Sequence, residues 1–178
     1  MPFKTPPLIC MLMSVASAAA CSADRPVADA PAGIVFPTDA SNLASQNQGD
    51  AFNGSYQVRR AYPANGFISE VGAPLMAAGF QPLQQDWLNP GVESSHVRGW
   101  GKFTQGSGDN LTQVHQWSAQ WRDAAGNVVL YHLQYLSPRT TATMLAAPTT
   151  DTLNVTVARV PAAQVAALQQ SAAQAIPK

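Results

Sequence analysis

Residues 112–136 read TQVHQWSAQWRDAAGNVVLYHLQYL, and this stretch decides the fold. Aromatic and other apolar side chains recur at every second position in both halves, which is the periodicity of a half-buried β-strand. Between the halves, Asp123 to Asn127 contains Gly126 and Asn127, residues that suit the backbone of a tight turn. The stretch therefore predicts an antiparallel hairpin of two long strands.

The hydrophobic pattern also predicts the register of this hairpin. If Arg122 pairs with Val128, then Trp121 faces Val129, and the apolar sets of both strands lie on one face of the sheet. The opposite face is mixed and nearly uncharged, and it carries Gln116, Ser118, Gln120, Val128, Leu130, His132 and Gln134. That face suits contact with a partner or with peptidoglycan, and it suits equally a surface shielded by the N-terminal segment.

Working outward from the hairpin, helices and further strands complete a domain over residues 62–178. Apolar residues at helical spacing follow Asn65, which is a candidate N-cap, and Pro74 predicts a kink or a break in this helix. Residues 97–103 and 153–157 have the alternation of strands, and a second helix begins at Pro161. The expected fold is α+β, an antiparallel meander of about four strands with one or two helices packed on one face.

The N-terminus has the pattern of an export signal. A short segment whose one charged side chain is Lys4 precedes an apolar run over residues 8–15, and small residues then lead to Cys21. The run is shorter than the roughly 20 residues that cross a bilayer. Residues 1–20 are therefore predicted to be a signal peptide.

The ending Ala18-Ala19-Ala20-Cys21 resembles the lipobox of bacterial lipoproteins, although most lipoboxes have Leu where this chain has Ala18. The resemblance implies cleavage before Cys21, lipid attachment to that cysteine and, with Ser22 next, the outer membrane facing the periplasm as the location. Cys10 would be removed with the signal, so Cys21 would have no disulfide partner. Cleavage at an Ala-x-Ala site, which leaves a soluble protein with a free thiol, is the alternative.

Residues 21–61 are rich in Ala, Pro, Asp, Ser, Asn, Gln and Gly, with one apolar run at residues 34–36. Such a segment buries too little apolar surface to offset the entropy of ordering it. We expect a lipidated, flexible tether over 21–61, in which residues 34–36 could dock on the domain as a short strand.

Composition and histidine placement argue against several function classes. Lys and Arg total 10 and Asp and Glu total 10, so no net charge attracts nucleic acid, and we expect no nucleic-acid partner. The proposed register places His115 and His132 on opposite faces, so these two cannot join His96 in one zinc site. We expect no metal, no other cofactor and no catalytic residues.

Two groups of residues are candidate sites. Asp86, Trp87 and Glu93 form the one cluster that suggests sugar binding, since carboxylates and an aromatic ring lie close in sequence; a turn residue and a core tryptophan are the structural alternative. Arg98 and Lys102 alternate with Trp100 on one strand, which suggests a protein-contact anchor. A tryptophan covered by the C-terminal helix is the alternative there.

In layout, the domain resembles small α+β lipoproteins of Gram-negative envelopes. The expected function is a non-enzymatic binding or accessory module of the cell envelope, held to the membrane by its lipid, with an envelope protein or peptidoglycan as partner. A hydrolase using Asp86, Glu93 or His115, or an inhibitor of an envelope enzyme, is the alternative. A ligand carrier is a third reading, and it requires a cavity.

Overall fold

The computed structural model describes residues 30–107, 110–140 and 150–175. The predicted signal peptide and Cys21 lie outside these ranges, so both remain predictions. Within the described residues the chain forms seven β-strands and two α-helices. In chain order these are β1 (Ser41–Gln48), β2 (Ala51–Arg59), α1 (Asn65–Ala77), β3 (Gln81–Pro82), β4 (Val97–Ser107), β5 (Asn110–Arg122), β6 (Val128–Arg139), β7 (Thr152–Val160) and α2 (Ala162–Ala175).

All seven strands belong to one open antiparallel sheet. Their order is β1-β2-β7-β6-β5-β3, and β4 also pairs with β5. The mixed α+β class is therefore confirmed, but the expectation of about four strands is wrong. The additional strands β1 and β2 come from the segment that the sequence analysis assigned to a tether.

The central hairpin has the predicted register. In β5 and β6, Arg122 pairs with Val128, Trp121 with Val129 and Trp117 with Leu133. The turn closes with Gly126 at φ +93, and the carboxylate of Asp123 accepts a hydrogen bond from the Asn127 N–H at 2.8 Å. The recurrence of apolar residues at every second position on both sides of the turn was therefore sufficient to predict this register.

Residues 51–59 form an inner strand and not a flexible tether. Residues Phe52 to Arg59 of β2 pair without interruption with Arg159 to Thr152 of β7. Phe52, Tyr56 and Val58 are buried at 1–2% exposure, and each such side chain contributes about 2–3 kcal/mol through burial. Gly54 interrupts the apolar alternation because a Cβ there would lie 3.1 Å from the Phe52 ring. Without an apolar side chain at position 54, the alternation that predicts a strand was not recognised.

Residues 30–40 also pack on the domain. Ile34 is buried, and the Phe36 ring meets Phe52 and Tyr56 edge-to-face at centroid distances of 6.2 and 5.2 Å. The predicted docking of residues 34–36 is therefore confirmed, although as irregular chain and not as a strand. The tether prediction is wrong for residues 30–59.

Helix α1 covers the apolar face of the sheet. Its buried side chains are Phe67, Ile68, Val71 and Leu75. The N-cap is Ala64 without a side-chain hydrogen bond, so the predicted capping by Asn65 is wrong, and Pro74 lies inside the helix. The helix ends as expected, with Gly79 at φ +92 and a hydrogen bond from the Phe80 N–H to the Leu75 carbonyl at 3.0 Å.

Helix α2 lies against the other face. Its buried Val165 lines a small cavity together with Val128. Val129 belongs to the core under α1, and successive strand residues point to opposite faces, so Val128 points away from α1. Gln169 fixes the helix by donating a hydrogen bond to the Trp87 carbonyl at 2.6 Å. Of the two described helices, α1 therefore covers the aromatic face of the sheet and α2 does not. Neither helix of the described residues is long and apolar enough to cross a membrane.

Candidate functional site

The sheet face opposite α1 carries two rows of uncharged polar side chains across β2, β7, β6 and β5. We call this surface the open face. Helix α2 lies on this same side, against the end of the sheet at the β5–β6 turn. Directly paired residues in adjacent strands make up each row. The amide row is Gln57, Asn154, Gln134 and Gln116, and the hydroxyl row is Ser55, Thr156, His132 and Ser118.

Hydrogen bonds within the amide row fix several of its side chains. Asn42 Nδ2 donates to Gln57 Oε1 at 2.6 Å, and Gln57 Nε2 donates to Asn154 Oδ1 at 2.8 Å. Asn154 Nδ2 then donates to the Gln134 carbonyl at 3.4 Å, so the chain of bonds crosses from β1 to β6. Side chains held in this way lose little further freedom when a partner binds.

Strand geometry sets the size of the open face. Neighbouring strands lie roughly 4.8 Å apart, so four strands place the ends of each row about 14 Å apart. Residues two apart along a strand are separated by roughly 7 Å, which is the spacing between the rows. The open face therefore presents regularly spaced amide and hydroxyl groups to an extended partner.

The open face is close to electrically neutral. Burial lowers the pKa of His132, so its imidazole is uncharged at neutral pH and the two rows carry no charge. Two cations at the margins are paired with carboxylates, whereas Arg122, at the end of β5 on the same side, has no ion pair among the described residues. Arg59 lies 3.9 Å from Asp151, and Arg98 donates to Asp86 at 3.0 Å.

Arg98 connects the two candidate sites, since it lies on β4 and binds Asp86. It pairs in register with Ser118 and so extends the hydroxyl row, while its guanidinium binds Asp86 and Ser94. A β-bulge between Gly99 and Lys102 then places Lys102 in register with His115. The side chains of Trp100 and Lys102 are not among those the structure describes. The contact anchor of Arg98, Trp100 and Lys102 therefore stays a prediction.

Asp86 acts as a turn residue in this structure. Its Oδ1 accepts hydrogen bonds from the backbone N–H groups of Leu88 at 2.9 Å and Asn89 at 3.1 Å. Burial alone would raise the pKa of this carboxyl, but the hydrogen bonds from Leu88, Arg98 and Asn89 outweigh burial and lower it. Asp86 is therefore ionised and already bound within the protein.

The other two members of the predicted sugar-binding cluster lie in the same loop. Trp87 is half-buried, and its carbonyl is bound by Gln169 of α2. Glu93 is exposed and pairs with Gln85 in an isolated bridge that closes the loop. Asp86 therefore has the turn role of the structural alternative, whereas Trp87 is not part of the core cluster.

The histidines are separated as the register predicted. His115 is 2% exposed and lies beside Tyr62 and Trp117 on the face that α1 covers, whereas His132 lies on the open face. Asp86 binds the guanidinium of Arg98, which pairs in register with Ser118 of the open face. His115 and Asp86 are therefore on opposite sides of the sheet. Among the described residues, no group of three or more His, Cys, Asp or Glu side chains is placed to hold a metal ion.

Half of the open face was missed from sequence. Gln116, Ser118, His132 and Gln134 were recognised on the predicted hairpin, but their partners on β2 and β7 were not. The β2 residues fell within the predicted tether, and β7 had no assigned neighbour. Comparison of the chain with protein-family models, curated proteins and solved structures found no match.

The pairing of Asp86 predicts a pH dependence of stability. Because folding lowers its pKa below the ordinary 3.8, its stabilising effect is present above about pH 4 and is lost as the pH falls through the folded pKa. We expect Asp86→Asn to reduce the free energy of unfolding by about 1–2 kcal/mol at pH 7, and by less toward pH 2.5. Urea unfolding across this range measures the difference.

The control for this measurement is Glu93→Gln, which removes an exposed carboxylate from the same loop. It should change the free energy of unfolding by less than about 0.5 kcal/mol at any pH. A difference in the free energy of unfolding between wild type and Asp86→Asn that stays constant from pH 7 to pH 2.5 would contradict the lowered pKa of Asp86.

Proposed function

We propose that this chain is an exported lipoprotein, anchored through lipid on Cys21, whose domain is a non-enzymatic binding or accessory module of the cell envelope. The open face is its contact surface. The observation that carries this proposal is the pair of amide and hydroxyl rows, which four strands align side by side.

The chemistry of the open face suits an uncharged, polar and extended partner. Amides and hydroxyls both donate and accept hydrogen bonds, and binding them desolvates no ion, which is the most costly group to remove from water. Groups that repeat along two rows match a partner whose own amides and hydroxyls repeat. The glycan and peptide chains of peptidoglycan have this character, so peptidoglycan is the first partner to test.

The proposed membrane location is supported by the sequence pattern that ends at Cys21. The fold adds a limit on reach, because packed structure begins by residue 34 and not near residue 62. Eight residues, 22–29, separate Cys21 from the first described residue, and even a fully extended chain of this length spans at most roughly 30 Å. Lipid on Cys21 would therefore keep the domain close to the membrane surface.

The hydrolase alternative has less support. It needs two of Asp86, Glu93 and His115 to meet in one pocket. The sheet separates His115 from Asp86, Asp86 is bound by Arg98, and Asp86 and Glu93 line different cavities. The ligand-carrier alternative needs an enclosed cavity in the core, but the side chains between α1 and the centre of the sheet are packed, with Tyr131 and Tyr135 fully buried.

Lipidation is tested by expressing the full chain in a Gram-negative host and comparing it with Cys21→Ser. We expect the wild-type product to fractionate with the outer membrane and to carry the mass of attached acyl chains. The variant should lack that mass and leave the membrane fraction. A soluble wild-type product of unmodified mass would overturn the lipoprotein assignment, without bearing on the open face.

Binding by the open face is tested by sedimentation with isolated peptidoglycan sacculi. Gln116→Glu with Thr156→Glu places charge in both rows on strands that are not adjacent. We expect this variant to co-sediment at least about tenfold less than its parent, because each carboxylate would have to be desolvated on binding.

The matched control is Ser45→Glu with Gln46→Glu on β1, whose residues are all exposed and lie outside the two rows. It should sediment like the parent. Equal sedimentation of parent and open-face variant would contradict the assigned surface, and a parent that stays in solution would exclude peptidoglycan as the partner.

A further inference from the structure

A separate groove lies between α1 and the β3–β4 edge of the sheet. Its volume is about 480 Å³, within the roughly 300–1,000 Å³ of small-molecule sites. We call it the α1–β4 groove, and its lining is Ile68, Ser69, Gly72, Met76, Pro82, His96, Val97 and Trp121. None of these residues is an acid, a lysine or an arginine, and most of the lining is apolar.

His96 is the distinctive polar residue of this lining, and the backbone of Gln120 holds it in place. The Gln120 N–H donates to the His96 carbonyl at 3.2 Å, and His96 Nδ1 lies 2.7 Å from the Gln120 carbonyl oxygen. The ring also packs edge-to-face on Trp121 at a centroid distance of 4.5 Å. The imidazole therefore has a fixed position at the wall of the groove.

These contacts determine which ring nitrogen carries the proton. A carbonyl oxygen only accepts hydrogen bonds, so Nδ1 must be the donor. In the neutral ring Nε2 then has a lone pair and acts as an acceptor. Burial lowers the pKa of His96, which keeps the ring neutral at physiological pH.

We propose that the α1–β4 groove binds a small, neutral, largely apolar molecule with one hydrogen-bond donor, such as a phenol, and that His96 Nε2 accepts that donor. An anionic ligand would find no cation in this lining, and a cationic ligand would find no carboxylate. A neutral molecule needs no opposite charge in the groove. Its single hydrogen-bond donor matches the acceptor that His96 supplies.

Gly72 lets α1 lie close to Trp121 at the groove. A Cβ at this position would lie 3.1 Å from Cζ2 of Trp121, so a larger residue would press on the indole. Met76 is 47% exposed at the rim, and its flexible thioether can adapt to an apolar ligand. The groove lies on the α1 side of the sheet, so this inference is independent of the function proposed for the open face.

The test compares p-cresol with toluene, which has the same ring and methyl group but no hydroxyl. Binding is followed by the NMR signal of the 13C-labelled Met76 methyl in the Cys21→Ser protein. We expect both probes to shift this signal, with p-cresol at least about tenfold tighter, because only its hydroxyl can donate to His96 Nε2. Equal affinities, or no shift of the Met76 methyl by either probe, would overturn the proposal.

Two variants assign the effect to the site. His96→Phe should bring p-cresol to the affinity of toluene, and the control His132→Phe, which alters the half-buried histidine of the open face, should leave both affinities unchanged. Ser69→Trp fills the groove from an exposed position without removing the His96 hydrogen bond and should abolish binding, whereas Ser171→Trp on α2 should not. Retained p-cresol binding by Ser69→Trp would overturn the assigned location.

Discussion

Eight consecutive residues of β2 pair with β7 in unbroken antiparallel register, from Phe52 opposite Arg159 to Arg59 opposite Thr152. This pairing draws the N-terminal part of the domain into the sheet and completes both of its faces. On one face, Phe52 and its neighbours join the core beneath residues 30–40 and α1. On the other, Gln57 meets Asn154 and extends the amide row to β1.

The end of β2 then connects the remaining layers. Arg60 forms ion pairs with Asp39 at 2.7 Å and with Glu70 of α1 at 2.8 Å, and its guanidinium lies 5.4 Å from the centre of the Phe67 ring. Tyr135 Oη donates a hydrogen bond to the Arg60 carbonyl at 2.9 Å. One residue therefore joins the N-terminal segment, the helix and the central strands, so the covered face depends on the same strand as the open one.

Local patterns were sufficient to predict some elements and not others. The β5–β6 hairpin was predicted to the exact register, because aromatic and other apolar residues recur at every second position on both sides of a short turn. β2 was missed because Gly54 hides its alternation and because its partner β7 lies about 100 residues away in sequence. The bulge after Gly99 likewise leaves no local signal, so the backbone pairing of Lys102 with His115 could not be predicted.

Amide hydrogen exchange over residues 51–59 tests the account most directly, because both faces require β2 to be an inner strand. The backbone N–H groups of β2 that bond within the sheet should exchange at least about a thousandfold more slowly than those of an unstructured peptide, as those of β6 should. Exchange of β2 at the rate of an unstructured peptide, while β6 remains protected, would contradict the account. That result would mean that residues 51–59 form a flexible tether, whereas the core and the amide row both require them to form a strand.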